Sequence, residues 1–454
     1  MIKSINPSTN EEIKTYSEMS NKEIEEIISK SHQSFLNWHK TMFSQRAVLM
    51  KKAAEVLRSK KDKWAEVMTL EMGKPINQSR GEVEKCAWVC DYFAENAEKF
   101  LEDEIIRSDA SKSFVTYNPL GVVLAVMPWN FPFWQVFRFA APNLMAGNAG
   151  VLKHSSNVTG CALAIEEIFR EAGFPENLFR TLIVSSKSIK GVIENKLVKA
   201  VTLTGSVPAG KAVASIAGSV LKKTVLELGG SDPYLVLEDA DLEKTADTCV
   251  VSRLINGGQS CIAAKRFIVV ESIYDKFEEL FVQKMNEKKM GDPFDENNYL
   301  GPQARNDLRD ELHSQVVKSV EKGAKLLLGG EVPKMNGAYY PPTVLSDVVP
   351  GMPAYDEELF GPVAALIKAK DEKDGIRIAN DTNFGLGAAV FTSDVKKGER
   401  IAKEELQAGC CFVNEFVKSD PRLPFGGIKE SGYGRELSEF GIKEFMNVKT
   451  IYVK

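Results

Sequence analysis

The sequence predicts an α/β protein with two doubly wound parallel-sheet domains and a small β-arm. Short apolar, β-branched segments begin after Leu120 and alternate with stretches of helix length, as in a parallel sheet covered on both faces. A second alternation of this kind begins near residue 233. In two further segments, apolar and polar residues alternate as they do in exposed strands. The 454 residues suffice for two or three domains with sizeable cores.

The region from Ser20 to about Phe100 is predicted to be helical. Apolar residues repeat at helical spacing behind Ser20, a residue type that caps helix N-termini. A second helix is expected to open at Ser44, and a long third one covers 83–97. Cys86 and Cys90 lie on the apolar side of this third helix and are expected to be core thiols.

The first sheet and its helices are predicted after Leu120. Its strands are expected at 121–126, 150–153, 181–184, 200–205 and 224–228. Its helices are expected at 132–147, 157–172 and 207–220.

The second sheet begins with strands at 233–238 and 266–270 and a helix from Tyr274, which places a domain boundary near Gly229 and Gly230. The predicted first domain comprises 1–100 and 119–229, and the second comprises 230–430. Vicinal Cys410 and Cys411 are expected in a buried strand. The arm comprises 101–118 and 431–454, and strands so poorly buried by their own domain are expected to pair with a neighbouring subunit in a homodimer or homotetramer.

Composition excludes several classes of protein. A net charge of −4 and a pI near 5.9 give no electrostatic footprint for nucleic acid or an anionic membrane. No segment reads as a signal peptide or a membrane span, so a cytoplasmic protein is expected. Seven cysteines at irregular spacing indicate no disulfide framework, and four scattered histidines indicate no metal site.

Cys261 differs from the other cysteines because its neighbours are Gly257, Gly258, Gln259 and Ser260. Small and polar neighbours would let a substrate approach the sulfur, as a nucleophile requires, although a buried structural thiol is the alternative. No histidine lies in a comparable setting to serve as its base.

Two other polar residues lie where strands end. Glu227 ends an apolar strand before two glycines, so it is either a crevice carboxylate or an exposed strand-end glutamate. Asn130 lies between two prolines in a rigid turn, where its amide could donate to an oxyanion; an ordinary turn is the alternative.

Around Gly205 and Ser206 the sequence predicts a strand, then a glycine, then the start of a helix. This arrangement suits the binding of a diphosphate, but alone it is weak evidence for such a site. Lys153 ends the predicted strand at 150–153 and could reach ribose hydroxyls or be solvated.

Six short motifs, in order along essentially the whole chain, resemble those of the aldehyde dehydrogenase superfamily. They are Pro128–Pro132, Leu203–Ser206, Glu227–Gly230, Gly258–Cys261, Glu358–Pro362 and Pro424–Arg435.

The resemblance implies NAD or NADP as cofactor, a cofactor-binding first domain and a catalytic second domain. It implies that Cys261 is the nucleophile, Asn130 forms the oxyanion hole and Glu227 is the base for deacylation. The implied cofactor-binding residues are Trp129, Lys153, Ser156, Gly205, Ser206, Glu358 and Phe360. The presence of Glu227 favours hydrolysis to a free acid over transfer to coenzyme A.

Within the superfamily the chain resembles succinate-semialdehyde dehydrogenases. That resemblance implies that Arg138 and Ser419 bind the substrate carboxylate, with Arg138 in a tunnel of Phe131, Phe133, Trp134 and Phe137; a surface arginine is the alternative. A second substrate arginine of some relatives is Ile255 here, and a redox-switch cysteine is Ala263. Other short ω-carboxy aldehydes, such as glutarate semialdehyde, or aliphatic aldehydes are alternative substrates.

Ser156 stands where strictly NAD-dependent relatives have a glutamate, so the enzyme is expected to accept NADP alongside NAD. His154 could add positive charge there if it were protonated.

Two rival functions remain for this fold. A non-catalytic structural or binding protein would be expected to lose Cys261 or Glu227. A cofactor-independent thiol esterase would leave the 203–206 and 358–362 motifs without purpose.

Overall fold

The computed structural model describes residues 1–454, which form 18 strands and 15 α-helices. The strands are β1 (Ile2–Ile5), β2 (Glu12–Tyr16), β3 (Glu104–Ile105), β4 (Lys112–Pro119), β5 (Val122–Met127), β6 (Ala149–His154), β7 (Phe179–Thr181), β8 (Val198–Thr204), β9 (Lys223–Glu227), β10 (Pro233–Val236), β11 (Arg266–Val270), β12 (Lys325–Leu328), β13 (Thr343–Ser346), β14 (Val363–Ala369), β15 (Gly387–Phe391), β16 (Cys410–Val413), β17 (Gly432–Tyr433) and β18 (Met446–Val453). The helices are α1 (Asn21–Trp38), α2 (Phe43–Ser59), α3 (Lys61–Met72), α4 (Ile76–Phe100), α5 (Trp134–Met145), α6 (Thr159–Glu171), α7 (Ile189–Glu194), α8 (Val207–Ser219), α9 (Leu242–Leu254), α10 (Tyr274–Asn286), α11 (Asn306–Glu321), α12 (Pro353–Asp356), α13 (Glu372–Asn380), α14 (Val395–Arg400) and α15 (Ser438–Lys443).

The first sheet has six strands in the order β17-β9-β8-β5-β6-β7. Strands β5 to β9 are parallel, and only β17 at the edge is antiparallel. Because a parallel sheet needs crossovers, α5, α6, α7 and α8 connect successive strands as the alternating pattern predicted. The carboxyl ends of β5, β8 and β9 therefore meet at one edge of this sheet, where the motifs lie.

The second sheet has seven strands in the order β12-β13-β14-β11-β10-β15-β16 and is parallel except for β12. Two doubly wound sheets were predicted, and the α/β fold class is confirmed. The last parallel strand of the first sheet, β9, ends at Glu227, and the first strand of the second sheet in chain order, β10, begins at Pro233. The loop between them carries Gly229 and Gly230.

A third sheet consists of β18, β4 and β3, all antiparallel. Val448, Tyr452 and Val453 on β18 are about half exposed, in keeping with the weakly buried pattern of the sequence. Residues 432–433 do not belong to this sheet, although the predicted arm began at 431; they pair with the edge strand β9 because glycine at 432 allows a backbone approach to Leu226.

Several element predictions are confirmed and three need correction. Cys410 and Cys411 lie in a strand as predicted, but β16 is half-buried rather than buried because it is at the edge of its sheet. Ser20 caps α1 in a capping box with Glu23, and Cys86 and Cys90 are fully buried in α4. The strand expected at 181–184 is instead β7, which ends at Thr181 because the backbone then leaves the sheet edge and the carbonyl of Ile183 accepts from Met19. Helix α3 follows α2 almost without a break and was not predicted separately.

No helix of the structure is both long and apolar enough to cross a membrane.

Candidate active site

Cys261 borders two cavities, and it is the one residue that lines both. The first cavity is a cleft between the two large sheets, and its walls include Trp129, Ser206 and Glu358. The second is a smaller cavity on the other side of Cys261, and its walls include Lys85, Arg138 and Ser419. A nucleophile at this junction can face one ligand from each side.

The first cavity, called here the cofactor cleft, is lined by most of the residues predicted to bind a dinucleotide. Besides Cys261 and Asn130, the predicted residues on its walls are Trp129, Gly205, Ser206, Glu358 and Phe360. The rings of Trp129 and Phe360 pack edge to face, with centroids 5.6 Å apart. The sequence motifs around 129, 205 and 358 therefore converge on one site.

The N-terminus of α8 opens into the cofactor cleft. Ser206 is the N-cap of this 13-residue helix, and its hydroxyl accepts from the backbone N–H of Ala209 at 3.5 Å. Backbone N–H groups in a first helical turn lack intrahelical acceptors and carry partial positive charge. The residues present thus fit the diphosphate of a nicotinamide dinucleotide.

The loop before Cys261 has a left-handed backbone at three successive residues. Asn256, Gly257 and Gly258 have φ values of 55°, 62° and 74°. A Cβ atom on Gly258 would lie 2.2 Å from the carbonyl oxygen of Gly361 in the 358–362 motif. Only glycine at 258 lets these two motifs pack together.

Hydrogen bonds hold Asn130 beside this loop. Its Nδ2 donates to the carbonyl of Gln259 at 3.1 Å, while Asn256 Nδ2 donates to the carbonyl of Asn130 at 2.6 Å. Nδ2 of Asn130 carries a second N–H that these contacts leave available, and the backbone N–H of Cys261 has no protein acceptor. The arrangement offers two donors near the sulfur.

Lys265 is fully buried next to the nucleophile and was missed in the sequence. Its Nζ donates to the carbonyls of Ser260 and Cys261 at 2.8 and 2.7 Å and lies 3.4 Å from Glu358 Oε1. Burial raises the pKa of the Cys261 thiol to about 12, whereas the positive charge of Lys265 opposes that rise. Lys265 therefore both fixes the loop and favours the thiolate.

Glu227 lies apart from both cavities in this structure. It is 2% exposed, neither carboxylate oxygen has a hydrogen-bond partner, and a Cβ on Gly426 would lie 2.6 Å from Oε1. Burial and the nearby Glu436 raise the pKa of Glu227 well above its usual range. Burial raises the pKa of Glu436 as well, although the charge of its ion-pair partner Arg138 opposes that rise.

The smaller cavity, called here the substrate cavity, contains Arg138 and Ser419 as predicted from the sequence. Arg138 is 2% exposed, so the alternative of a surface arginine is wrong: α5 is buried along its whole length. Of the four aromatic residues expected around it, Phe131 and Trp134 line the cavity, whereas Phe133 and Phe137 are fully buried and do not.

A buried network fixes the turn that carries Asn130. Glu82 on α4 is ion-paired with Lys74, and its Oε1 accepts from the backbone N–H groups of Phe133 and Trp134 at 2.9 Å each. A charged residue within the apolar stripe of α4 was the sequence signal for this pair.

His154 supports the same turn, so the suggestion that it adds charge near the ribose is wrong. Burial lowers the pKa of His154 to about 4. Its Nε2 lies 2.8 Å from the carbonyl of Pro132, and its Nδ1 lies 2.9 Å from the backbone nitrogen of Ser155 and 3.2 Å from the carbonyl of Met127, so the ring joins both ends of the turn.

Lys153 and Ser156 lie at the end of β6, outside the walls of the cofactor cleft. Ser156 instead borders a small cavity with Ile2 and Thr181. Lys153 is half-buried, and burial lowers its pKa. Their roles toward the ribose stay predictions.

The model of the aldehyde dehydrogenase family matches residues 1–451 of this chain. The chain belongs to the aldehyde dehydrogenase family. It is therefore an oxidoreductase of the aldehyde dehydrogenase type, and its fold is that of the family's solved structures.

Among similar proteins, a probable NADP(+) succinate-semialdehyde dehydrogenase of Synechocystis is 48% identical over 452 residues, covering 100% of this chain and 99% of the relative. The NAD(P)+ succinate semialdehyde dehydrogenase Sad of Escherichia coli is 47% identical and covers 99% of this chain and 97% of its own. A crystal structure of succinic semialdehyde dehydrogenase from Streptococcus pyogenes with NADP+ matches with a TM-score of 0.98 at 38% identity, and the match covers 100% of both chains.

Proposed function

We propose that the protein oxidises succinate semialdehyde to succinate through a thioester on Cys261, with NADP or NAD as the acceptor. The observation that carries the proposal is the position of Cys261 between a cleft suited to a dinucleotide and a cavity with cationic and hydroxyl groups among aromatic rings. Relatives named for this substrate, 47–48% identical over nearly the whole chain, support it.

In the first step the Cys261 thiol loses its proton to water, and the thiolate adds to the aldehyde carbon. The charge of Lys265 favours the thiolate, which is the reactive form. The oxyanion that forms accepts hydrogen bonds from the free N–H of Asn130 and from the backbone N–H of Cys261. When bound, the nicotinamide supplies the hydride acceptor for this oxidation. Glu358 and Phe360 on the cleft wall are proposed to hold its ribose and ring.

Hydrolysis of the thioester needs a base, and Glu227 is proposed for that role. In its buried position the raised pKa of Glu227 favours the protonated form, so we propose that Glu227 leaves the pocket beside Gly426 and loses its proton to activate water. Departure from Glu436 lowers its pKa, because both the burial and the like charge are relieved.

The proposed use of NADP depends on Ser156 and Lys153. An uncharged serine does not repel a 2′-phosphate as a carboxylate would, and Lys153 adds positive charge. The NADP-named relatives and the Streptococcus pyogenes complex support this preference.

We also propose a homodimer or homotetramer formed through the sheet of β3, β4 and β18, whose outer residues include the exposed Ile105, Val448 and Tyr452. The domain division at Gly229–Gly230 and a cytoplasmic location belong to the same proposal.

The experiment is a panel of aldehydes crossed with both cofactors and followed by absorbance of the reduced nicotinamide. Succinate semialdehyde should give the highest kcat/KM, ahead of glutarate semialdehyde and butanal. A higher kcat/KM for butanal would contradict the substrate. Failure of every aldehyde to reduce either cofactor, together with cofactor-free hydrolysis of an activated ester, would favour a thiol esterase.

A further inference from the structure

The substrate cavity contains a lysine that the sequence motifs do not include. Lys85 on α4 lines this cavity together with Cys261, Arg138 and Ser419. Its Nζ donates to Ser419 Oγ at 3.0 Å and lies 4.2 Å from the centroid of the Trp134 ring. No carboxylate of the protein is ion-paired with it.

Arg138, in contrast, already has a carboxylate partner. Its guanidinium is ion-paired with Glu436, and both side chains are buried, at 2% and 6% exposure. It also contacts Thr204 Oγ1 at 3.4 Å and lies over the Phe425 ring at 4.8 Å. Because Glu436 offsets part of the charge of Arg138, Arg138 would bind an anion more weakly than an unpaired arginine would.

Ser419 is oriented by its neighbours. Its Oγ accepts one hydrogen bond from Lys85 Nζ and another from Trp134 Nε1, each at 3.0 Å. A hydroxyl has two lone pairs and one hydrogen. With both lone pairs engaged, the Ser419 O–H is left to donate to a third group, and an acceptor in the cavity would complete its bonding.

We infer that Lys85 is the specificity-determining cation of this enzyme: Lys85 and Ser419 together bind the carboxylate of the ω-carboxy aldehyde, while Arg138 has a supporting role. Lys85 supplies the unpaired positive charge, and Ser419 supplies a hydroxyl hydrogen that Lys85 itself directs. Ile255, on the same cavity wall, supplies neither. This inference rests on the proposed function, because it names how that substrate is recognised.

The pKa of Lys85 also predicts how the charge of the substrate cavity depends on pH. Burial and the charge of Arg138 lower the pKa of Lys85 to about 8, while Cys86, Glu82 and Asp420 oppose the shift. Of these, Glu82 is paired with Lys74 and Asp420 with Arg422. Free enzyme should therefore lose the Lys85 charge as the pH rises through about 8.

The test uses Lys85→Met, which removes the charge and keeps an unbranched side chain only one atom shorter, with Lys99→Met on the exposed side of the same helix as control. The kcat/KM for succinate semialdehyde should fall about 10- to 100-fold in Lys85→Met, and that for butanal less than about 3-fold. Lys99→Met should leave both unchanged.

The pH profile gives a second measurement. In the wild type, the ratio of kcat/KM for succinate semialdehyde to that for butanal should fall between about pH 7 and about pH 9, whereas in Lys85→Met the ratio should be low and flat. Titration of Cys261 affects both aldehydes and cancels in the ratio.

If Lys85→Met lowers kcat/KM by the same factor for the two aldehydes, their ratio equals the wild-type ratio. That result would overturn the role of Lys85 and leave the proposed function intact. If the wild type itself does not prefer succinate semialdehyde to butanal, the proposed function and this inference fail together.

Discussion

Replacement of Lys74 tests the buried network beneath the turn that carries Asn130. The side chains of Lys74 and Glu82 are 1% and 2% exposed, and Lys74 Nζ also lies 3.8 Å from the centroid of the Phe131 ring. Lys74→Met should leave Glu82 buried without its counter-charge, which costs about 3–5 kcal/mol in the free energy of unfolding.

The matched control is Lys60→Met, which breaks a pair with Glu171 whose side chains are 42% and 28% exposed. Such a pair contributes about 0–1 kcal/mol. The double variant Lys74→Met with Glu82→Gln removes both charges and should be more stable than Lys74→Met alone, because no charge is left buried.

Urea unfolding followed by tryptophan fluorescence, with Glu82→Gln included to complete the cycle, measures these differences. The reasoning is refuted if Lys74→Met costs no more than Lys60→Met. It is also refuted if the double variant loses the sum of the two single losses.

Three further predictions concern the nucleophile loop, the turn and the cofactor. Gly258→Ala should abolish most activity and destabilise the fold, because φ is 74° and the new Cβ would meet the carbonyl of Gly361; a wild-type unfolding midpoint would contradict this. Burial lowers the pKa of His154 to about 4 from the ordinary histidine value of 6.5, so the unfolded state binds more protons between these two values. Stability therefore falls as the pH drops from about 6.5 to about 4, by roughly 3 kcal/mol in total. The stability of His154→Gln should lack this part of the pH slope, and an unchanged slope would exclude His154 as its source. Ser156→Glu should lower kcat/KM for NADP by at least about 10-fold and spare NAD; equal losses for both would mean that Ser156 does not face the 2′ position.

Much of the cofactor cleft could be predicted because its residues lie in short local motifs. Glycine at 258 and the helix start at Ser206 have backbone requirements that are visible in the sequence. The strand-helix alternation then places the ends of β5, β8 and β9 at one edge, so that residues far apart in sequence converge.

The parts that could not be predicted depend on tertiary contacts. Lys85 has ordinary sequence surroundings, and its importance appears only when α4 packs beside the nucleophile loop. Lys265 lies only four residues after Cys261, but no motif indicates that its side chain folds back onto the carbonyls of Ser260 and Cys261. The pairing of Arg138 with Glu436 joins residues about 300 positions apart, with no local signal. The buried conformation of Glu227 likewise depends on the absence of a side chain at Gly426.

The central claim is that Cys261 carries the acyl group and Glu227 is needed to release it. The most direct measurement is mass spectrometry of Glu227→Gln after mixing with NADP and succinate semialdehyde. A succinyl adduct on the peptide that contains Cys261 is the predicted result, with a burst of reduced cofactor and no adduct in Cys261→Ser. An adduct on another residue, or steady turnover in Cys261→Ser, would contradict the account.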